Sequence, residues 1–138
     1  MTQMIFINLP VSDLTASIRF YEAIGCVKND QFSDEKAACM VLSDAIFFQL
    51  LKRDYFATFT SRPVAQPKDA VGVLMALSRE SREAVDALTE AAAAAGGKPD
   101  VRDAQDYGFM YSRAFEDPDG HTFEPMWMDP GAVEGQNS

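Results

Sequence analysis

Apolar and polar positions fall into blocks along this chain, and the blocks come twice in the same order. Met4 to Val11, MIFINLPV, has the make-up of a strand that ends near Pro10. Ser12 and Asp13 are helix-opening residues, and Leu14, Ile18 and Tyr21, with Phe20 beside them, form an apolar stripe at helical spacing. Gly25 is the expected stop. Two further strand-like runs follow, Ala37 to Leu42 and Ala45 to Leu51, with Ser43-Asp44 as the turn between them. Lys52 to Asp69 mixes polar, aromatic and proline residues and reads as an excursion with one helical turn, then a connector from Arg62 onward.

The order then restarts. Val71 to Leu77 suits a strand, and Ser78 or Ser81 caps a helix whose stripe is Val85, Leu88 and the alanines up to Gly96-Gly97. A short strand near Val101, a strand from Phe109 to Glu116, the turn signal Asp117-Pro118-Asp119-Gly120 and a strand from Thr122 to Met128 complete the second pass. The two passes are offset by about 65 residues, a repeat of pattern rather than of residues. The expected fold is therefore α+β: two βαβββ modules, residues 1–64 and 65–130, in one domain, making a curved mixed sheet with a concave face. Residues 131–138 hold too few apolar side chains to pack and are expected to form a flexible tail.

Composition narrows the function classes. A chain of 138 residues is one domain's length and can bury a sizeable core without disulfides. Its net charge of −9 opposes nucleic acid and anionic membranes as partners. No apolar run approaches the ~20 residues that span a bilayer, and the first residues lack an export signal. Cys26 and Cys39 form no C-x-x-C pair and suit a reducing cytoplasm, with Cys39 expected to be a small buried residue.

Two stretches carry a family resemblance. LPVSDLTASIRFYEAIG in the first pass and AFEDPDGHTFEP in the second resemble the vicinal oxygen chelate superfamily, which contains glyoxalase I, fosfomycin- and bleomycin-resistance proteins and extradiol dioxygenases. The likeness runs from residue 4 to residue 129, and FINLPV, FSDEKAACMVLSD and QDYGFMYSRAFED are similar to a bacterial subgroup described as predicted lactoylglutathione lyases. The resemblance implies the paired-module fold, a homodimer, and a divalent metal held on the first, fourth, fifth and eighth strands that stabilises a developing oxyanion.

Carried onto this chain, the four ligand positions fall on Phe6, on Gln49, on Val73 or Leu74, and on Glu124. Only Glu124 is a carboxylate, and Gln49 is a weak neutral ligand. A catalytic metal normally takes at least three protein ligands, so the reading is of no cofactor, with a divalent metal disfavoured and left only to an unconventional site. His121 does not rescue the set. Strand alternation puts it on the face opposite Glu124, and it reads as a turn residue.

Strand parity gathers Phe6, Asn8 and Pro10, then Phe47, Gln49 and Leu51, then Met110, Ser112 and Ala114, onto one surface with Glu124 and Met126. The result is an apolar cleft with Asn8, Gln49, Ser112 and Glu124 converging, the usual make-up of a small-molecule site. Each has a plainer role open to it: core filling for Phe6 and the methionines, a hydrogen bond to backbone for Asn8 and Gln49. A buried Glu124 is expected to be paired, protonated or functional, in the last case as an acid or base of raised pKa, and Arg113 lies on the wrong face to pair with it. Tyr107, ahead of Gly108, is expected at the pocket rim, and Tyr55, Phe56 and Phe59 as a cover or dimer contact. The leading functional expectation is binding of a small organic molecule. A lyase or isomerase acting on a carbonyl compound, and a non-catalytic dimeric interaction module, are the alternatives.

Overall fold

The computed structural model describes residues 2–132, and the chain divides into two compact units between Ala70 and Val71. In the first unit β1 (Ile5–Val11) leads to α1 (Leu14–Ala23), then β2 (Val27–Asn29), β3 (Ala37–Val41) and β4 (Ile46–Lys52). The sheet order is β1-β4-β3-β2, with β1 parallel to β4 and the other pairs antiparallel. Asp13 caps α1, its Oδ1 accepting from the Ala16 amide at 3.1 Å, and Gly25 supplies the positive φ of 109° just past the helix.

The buried stripe of α1 is Leu14, Ser17, Phe20 and Tyr21. Ile18, expected in that stripe, is only half-buried, because the helix rotates Ser17 and Phe20 into the sheet instead. The Tyr21 ring lies 5.4 Å from that of Phe48, so Phe48 and Leu50 face the helix. Phe47, Gln49 and Leu51 then face away from it. β2 was not legible in the sequence. Its three residues VKN carry one apolar side chain, and pairing with β3 is what makes them a strand. Beyond β4, α2 (Arg53–Phe56) is the anticipated helical turn, and Arg53 pins the excursion through bonds to the carbonyls of Val64 and Ala65.

In the second unit β5 (Leu74–Ser78) leads to α3 (Arg82–Ala94), then β6 (Lys98–Pro99), β7 (Gln105–Asp106), β8 (Met110–Ser112), β9 (Phe115–Glu116) and β10 (Thr122–Met128). The sheet runs β6-β9-β10-β8-β7, and β5 also pairs with β10, in parallel. Ser81 rather than Ser78 caps α3, its Oγ accepting from the Ala84 amide at 3.0 Å. Val85, Leu88, Thr89 and Ala92 form the buried stripe, and Phe115 stacks on Phe123 in the core.

Three expectations are corrected here. β5 starts at Leu74, not Val71, and Val71 and Val73 are exposed. The short strand is Lys98–Pro99, since Asp100 at φ 53° turns the chain before Val101. The strand expected over Phe109 to Glu116 is two strands, interrupted at Arg113-Ala114. The cause is chemical. Arg113 donates its N–H to the Pro125 carbonyl at 3.3 Å, but Pro125 has no N–H to return, and the Arg113 carbonyl accepts from the Ser112 hydroxyl instead. Of the expected C-terminal tail, residues 133–138 lie outside the described residues.

Candidate functional site

The DPDG turn is built by one carboxylate. Asp117 Oδ1 accepts from the amides of Asp119 and His121, both at 2.9 Å, while Gly120 at φ 97° donates to the Asp117 carbonyl. His121 thus takes part in closing the turn through its backbone. Thr122 then starts β10, and Glu124, Met126 and Met128 share the sheet face turned away from α3. Trp127 and Phe123 are on the helix side.

On the open face three polar side chains meet. Arg102 comes from the loop between β6 and β7. Its Nε and Nη2 both donate to Glu124 Oε2, at 3.1 and 3.0 Å, and Nη2 donates again to Ser112 Oγ at 3.0 Å. Nη1 donates to the Asp103 carbonyl at 2.9 Å. The Arg102 and Glu124 side chains keep 27% and 23% of their surface exposed, so the pair is screened from water but reachable. Glu124 is therefore paired, and its partner is a residue that strand parity could not find. A loop arginine has no periodicity to give its direction; the only hint was a cation between two strands of an acidic segment.

Arg113 goes to the opposite face, as parity indicated. There it bonds Asp86 and Glu90 of α3 and Asp100, with only 13% of its side chain exposed. Arg82 lies on the same side, its guanidinium carbon 5.1 Å from the Tyr111 ring and 5.2 Å from the Trp127 ring. It grips both oxygens of Asp106, at 2.8 and 2.9 Å, and the Gly108 carbonyl at 3.0 Å. This fixes the β7–β8 hairpin whose tip carries Tyr107, 61% exposed and 6.3 Å from the Phe109 ring.

The hydrogen bond from Arg82, aided by that from the Gly108 amide, holds the Asp106 carboxyl at about 2, below its ordinary 3.8. Ionised Asp106 thus favours the folded hairpin, a contribution complete above about pH 4 and lost as pH falls toward 2. A carbon-detected titration of the Asp106 carboxyl should give a midpoint near 2, moving toward 3.8 in Arg82→Gln. A wild-type midpoint near 3.8 would contradict the pairing.

In the first unit the open face carries Phe6 stacked on Phe47, centroids 4.6 Å apart and planes 13° from parallel. Asn8 stands opposite Gln49 in the β1–β4 register, and Asn8 Nδ2 donates to the Phe6 carbonyl at 3.3 Å. Asn8 is exposed, so its amide carries no burial cost. Gln49 is half-buried. In the second unit the register sets Leu74 opposite Thr122 and Ala76 opposite Glu124. The relation of Phe6 to Gln49 is thus repeated by Leu74 to Glu124, and the fifth-strand position is Leu74, 56% exposed, rather than Val73. Phe6 and Leu74 have no donor atom, Gln49 offers a neutral oxygen, and Glu124 already binds a guanidinium. Taken by itself, neither unit's pair supplies the three protein ligands that a catalytic divalent metal normally takes. Among the described residues no group of three or more His, Cys, Asp or Glu side chains is placed to hold one, and no helix is long and apolar enough to cross a membrane.

Residues 3–124 match the Glyoxalase/Bleomycin resistance protein/Dioxygenase superfamily model, and the chain belongs to that superfamily. Solved structures agree on the fold. A hypothetical protein from S. aureus is 26% identical at TM-score 0.76, covering 92% of this chain and 94% of its own. A glyoxalase-related enzyme from Fulvimarina pelagi is 23% identical at TM-score 0.77, with 92% and 88% covered. The fosfomycin resistance protein FosX from Mesorhizobium loti is 14% identical at TM-score 0.67, with 97% and 98% covered. No curated protein matches this chain.

Proposed function

We propose that this chain is a small-molecule-binding member of the superfamily that works without a protein-held divalent metal. The observation carrying this reading is the commitment of Glu124 to Arg102 on the open face of the second unit's sheet. A carboxylate whose one oxygen is saturated by an internal cation is a poor metal ligand. The same pair, next to Ser112, with Ala76 opposite Glu124 in the sheet and Met126 next along the same face, suits an organic ligand. Tyr107 at the hairpin tip serves as rim. The first unit's open face, with Phe6, Asn8 and Gln49, is a candidate surface in its own right, its Phe6–Phe47 stack suited to a flat group.

Two measurements test the reading together. Protein incubated with Ni²⁺, Zn²⁺, Mn²⁺ or Mg²⁺ and desalted should retain far less than one metal per chain. A screen of uncharged aromatic fragments against protein carrying ¹³C-methyl methionine should shift the Met126 and Met110 signals. Stoichiometric metal that disappears in Glu124→Ala would instead support the second reading, a lyase or isomerase of the lactoylglutathione lyase type. What favours that second reading is Glu124 itself, an acceptor beside a guanidinium able to steady an oxyanion.

A further inference from the structure

Glu124 is held by one oxygen and left open at the other, which deepens the binding reading above and rests on it. Arg102 Nε and Nη2 both donate to Oε2, at 3.1 and 3.0 Å, so the fork closes on a single oxygen instead of spanning the carboxylate. Oε1 accepts no hydrogen bond from a described residue. It is not sealed in either: among the described residues Arg79 Nε is the one side-chain polar atom both buried and without a partner. The nearby hydroxyl cannot serve it. Ser112 Oγ accepts from Arg102 Nη2 and turns its own hydrogen to the Arg113 carbonyl at 3.3 Å. There is room beside the carboxylate. Its neighbour across the sheet is Ala76, exposed and carrying only a methyl group, and Met126 comes next along β10 on the same face.

We infer that this site receives an uncharged ligand through a hydroxyl group that donates to Glu124 Oε1, a phenol being the simplest form. An ionised carboxylate can only accept, so whatever meets Oε1 has to bring the hydrogen. An O–H···O⁻ bond is the shortest and strongest that a neutral donor can make to it. The ligand makes no demand on Arg102, whose bonds to Oε2 fix the direction in which Oε1 points. A ketone, ether or carboxylate would set oxygen against oxygen, stripping an acceptor of solvent with no donor in return. An ammonium could donate, but Arg102 already balances the Glu124 charge. The newcomer would place a second cation beside the guanidinium and give up its own hydration on a partly covered face. A neutral hydroxyl leaves the ion pair intact, and the ring that bears it is placed to cover Ala76 and Met126.

Phenol, acetophenone and benzylammonium, one-ring probes with different heads, decide the matter. Each is titrated to millimolar concentration at neutral pH while the Met126 methyl and Glu124 carboxyl-carbon signals are followed. Phenol should bind at least several-fold more tightly than the other two and move both signals, with the Arg102 Nε–H signal left in place. Glu124→Gln keeps the volume of the side chain and turns its chemistry round. Arg102 can only donate, so it holds the amide oxygen, and the amide NH2 then stands where Oε1 stood. The variant should shift the ratio of affinities from phenol toward acetophenone by at least several-fold. Wild-type protein that binds acetophenone or benzylammonium as tightly as phenol overturns the inference and leaves the binding reading standing. That comparison needs no folded variant. Silence from all three overturns the inference as well, and the binding reading falls only if the fragment screen is also empty. A phenol preference unchanged in Glu124→Gln, or a Met126 shift without one at the Glu124 carboxyl, places the hydroxyl elsewhere and overturns it too.

Discussion

Phe123→Ala is expected to destabilise the protein by about 3–5 kcal/mol, enough to leave it marginally folded at room temperature. Phe123 is fully buried on the helix side of β10, stacked on Phe115 with centroids 5.4 Å apart and planes 14° from parallel. Truncation removes the transfer energy of a benzyl group and leaves a cavity whose walls are a helix and two paired strands, elements that cannot close over it. Urea unfolding should show the loss as a lower midpoint with a similar slope. Because Glu124, the next residue along β10, depends on the same strand register, the open face should loosen in parallel. A loss under about 1 kcal/mol would mean that the α3 side of this sheet is not the core described here.

The Arg102–Glu124 pair should behave quite differently when each partner is replaced. Glu124→Leu strands a guanidinium that is about three-quarters covered, and Arg102→Leu strands a carboxylate, so each single change is expected to cost about 1–2 kcal/mol after allowance for solvent screening. The double replacement leaves neither charge orphaned and adds apolar area to a methionine-bearing face. It should lie within about 1 kcal/mol of the original protein. The four thermal midpoints form a cycle whose coupling should be about 1–3 kcal/mol. A double variant that folds well but no longer shifts Met126 with aromatic fragments that bind the original protein would separate a ligand role from a structural one. Additive single effects with no coupling would show that the two side chains do not pair in solution.

The arginines make the limits of sequence reading concrete. Arg113 sits within a strand run, so alternation told which face it takes, and it lies there with Asp86, Glu90 and Asp100. Arg102 sits in a loop, where no period applies. Its partners are 22 and 10 residues away, and nothing local points to either. Pro125 is a case in between. Its missing N–H was visible as a residue type, but its effect fell on the strand opposite, at Arg113-Ala114, and could be placed only once the β8–β10 register was known.

What this sequence determined by itself was the order of elements and the faces of its strands. Helices open at Ser12-Asp13 and at Ser78 or Ser81 because such side chains satisfy exposed amides, Gly25 and Gly96 end them by taking positive φ, and period-two alternation sets Ser112, Glu124 and Met126 on one side of β10's sheet. These are short-range consequences of covalent geometry and local hydrogen bonding. Only the tertiary structure decided that Leu74 rather than Val73 holds the fifth-strand position, that Phe6 stacks on Phe47, and that Arg102 claims one oxygen of Glu124. Each of those depends on which strand lies beside which and in what register. That choice is made by burial summed over a whole sheet, not by any stretch a reader can take alone.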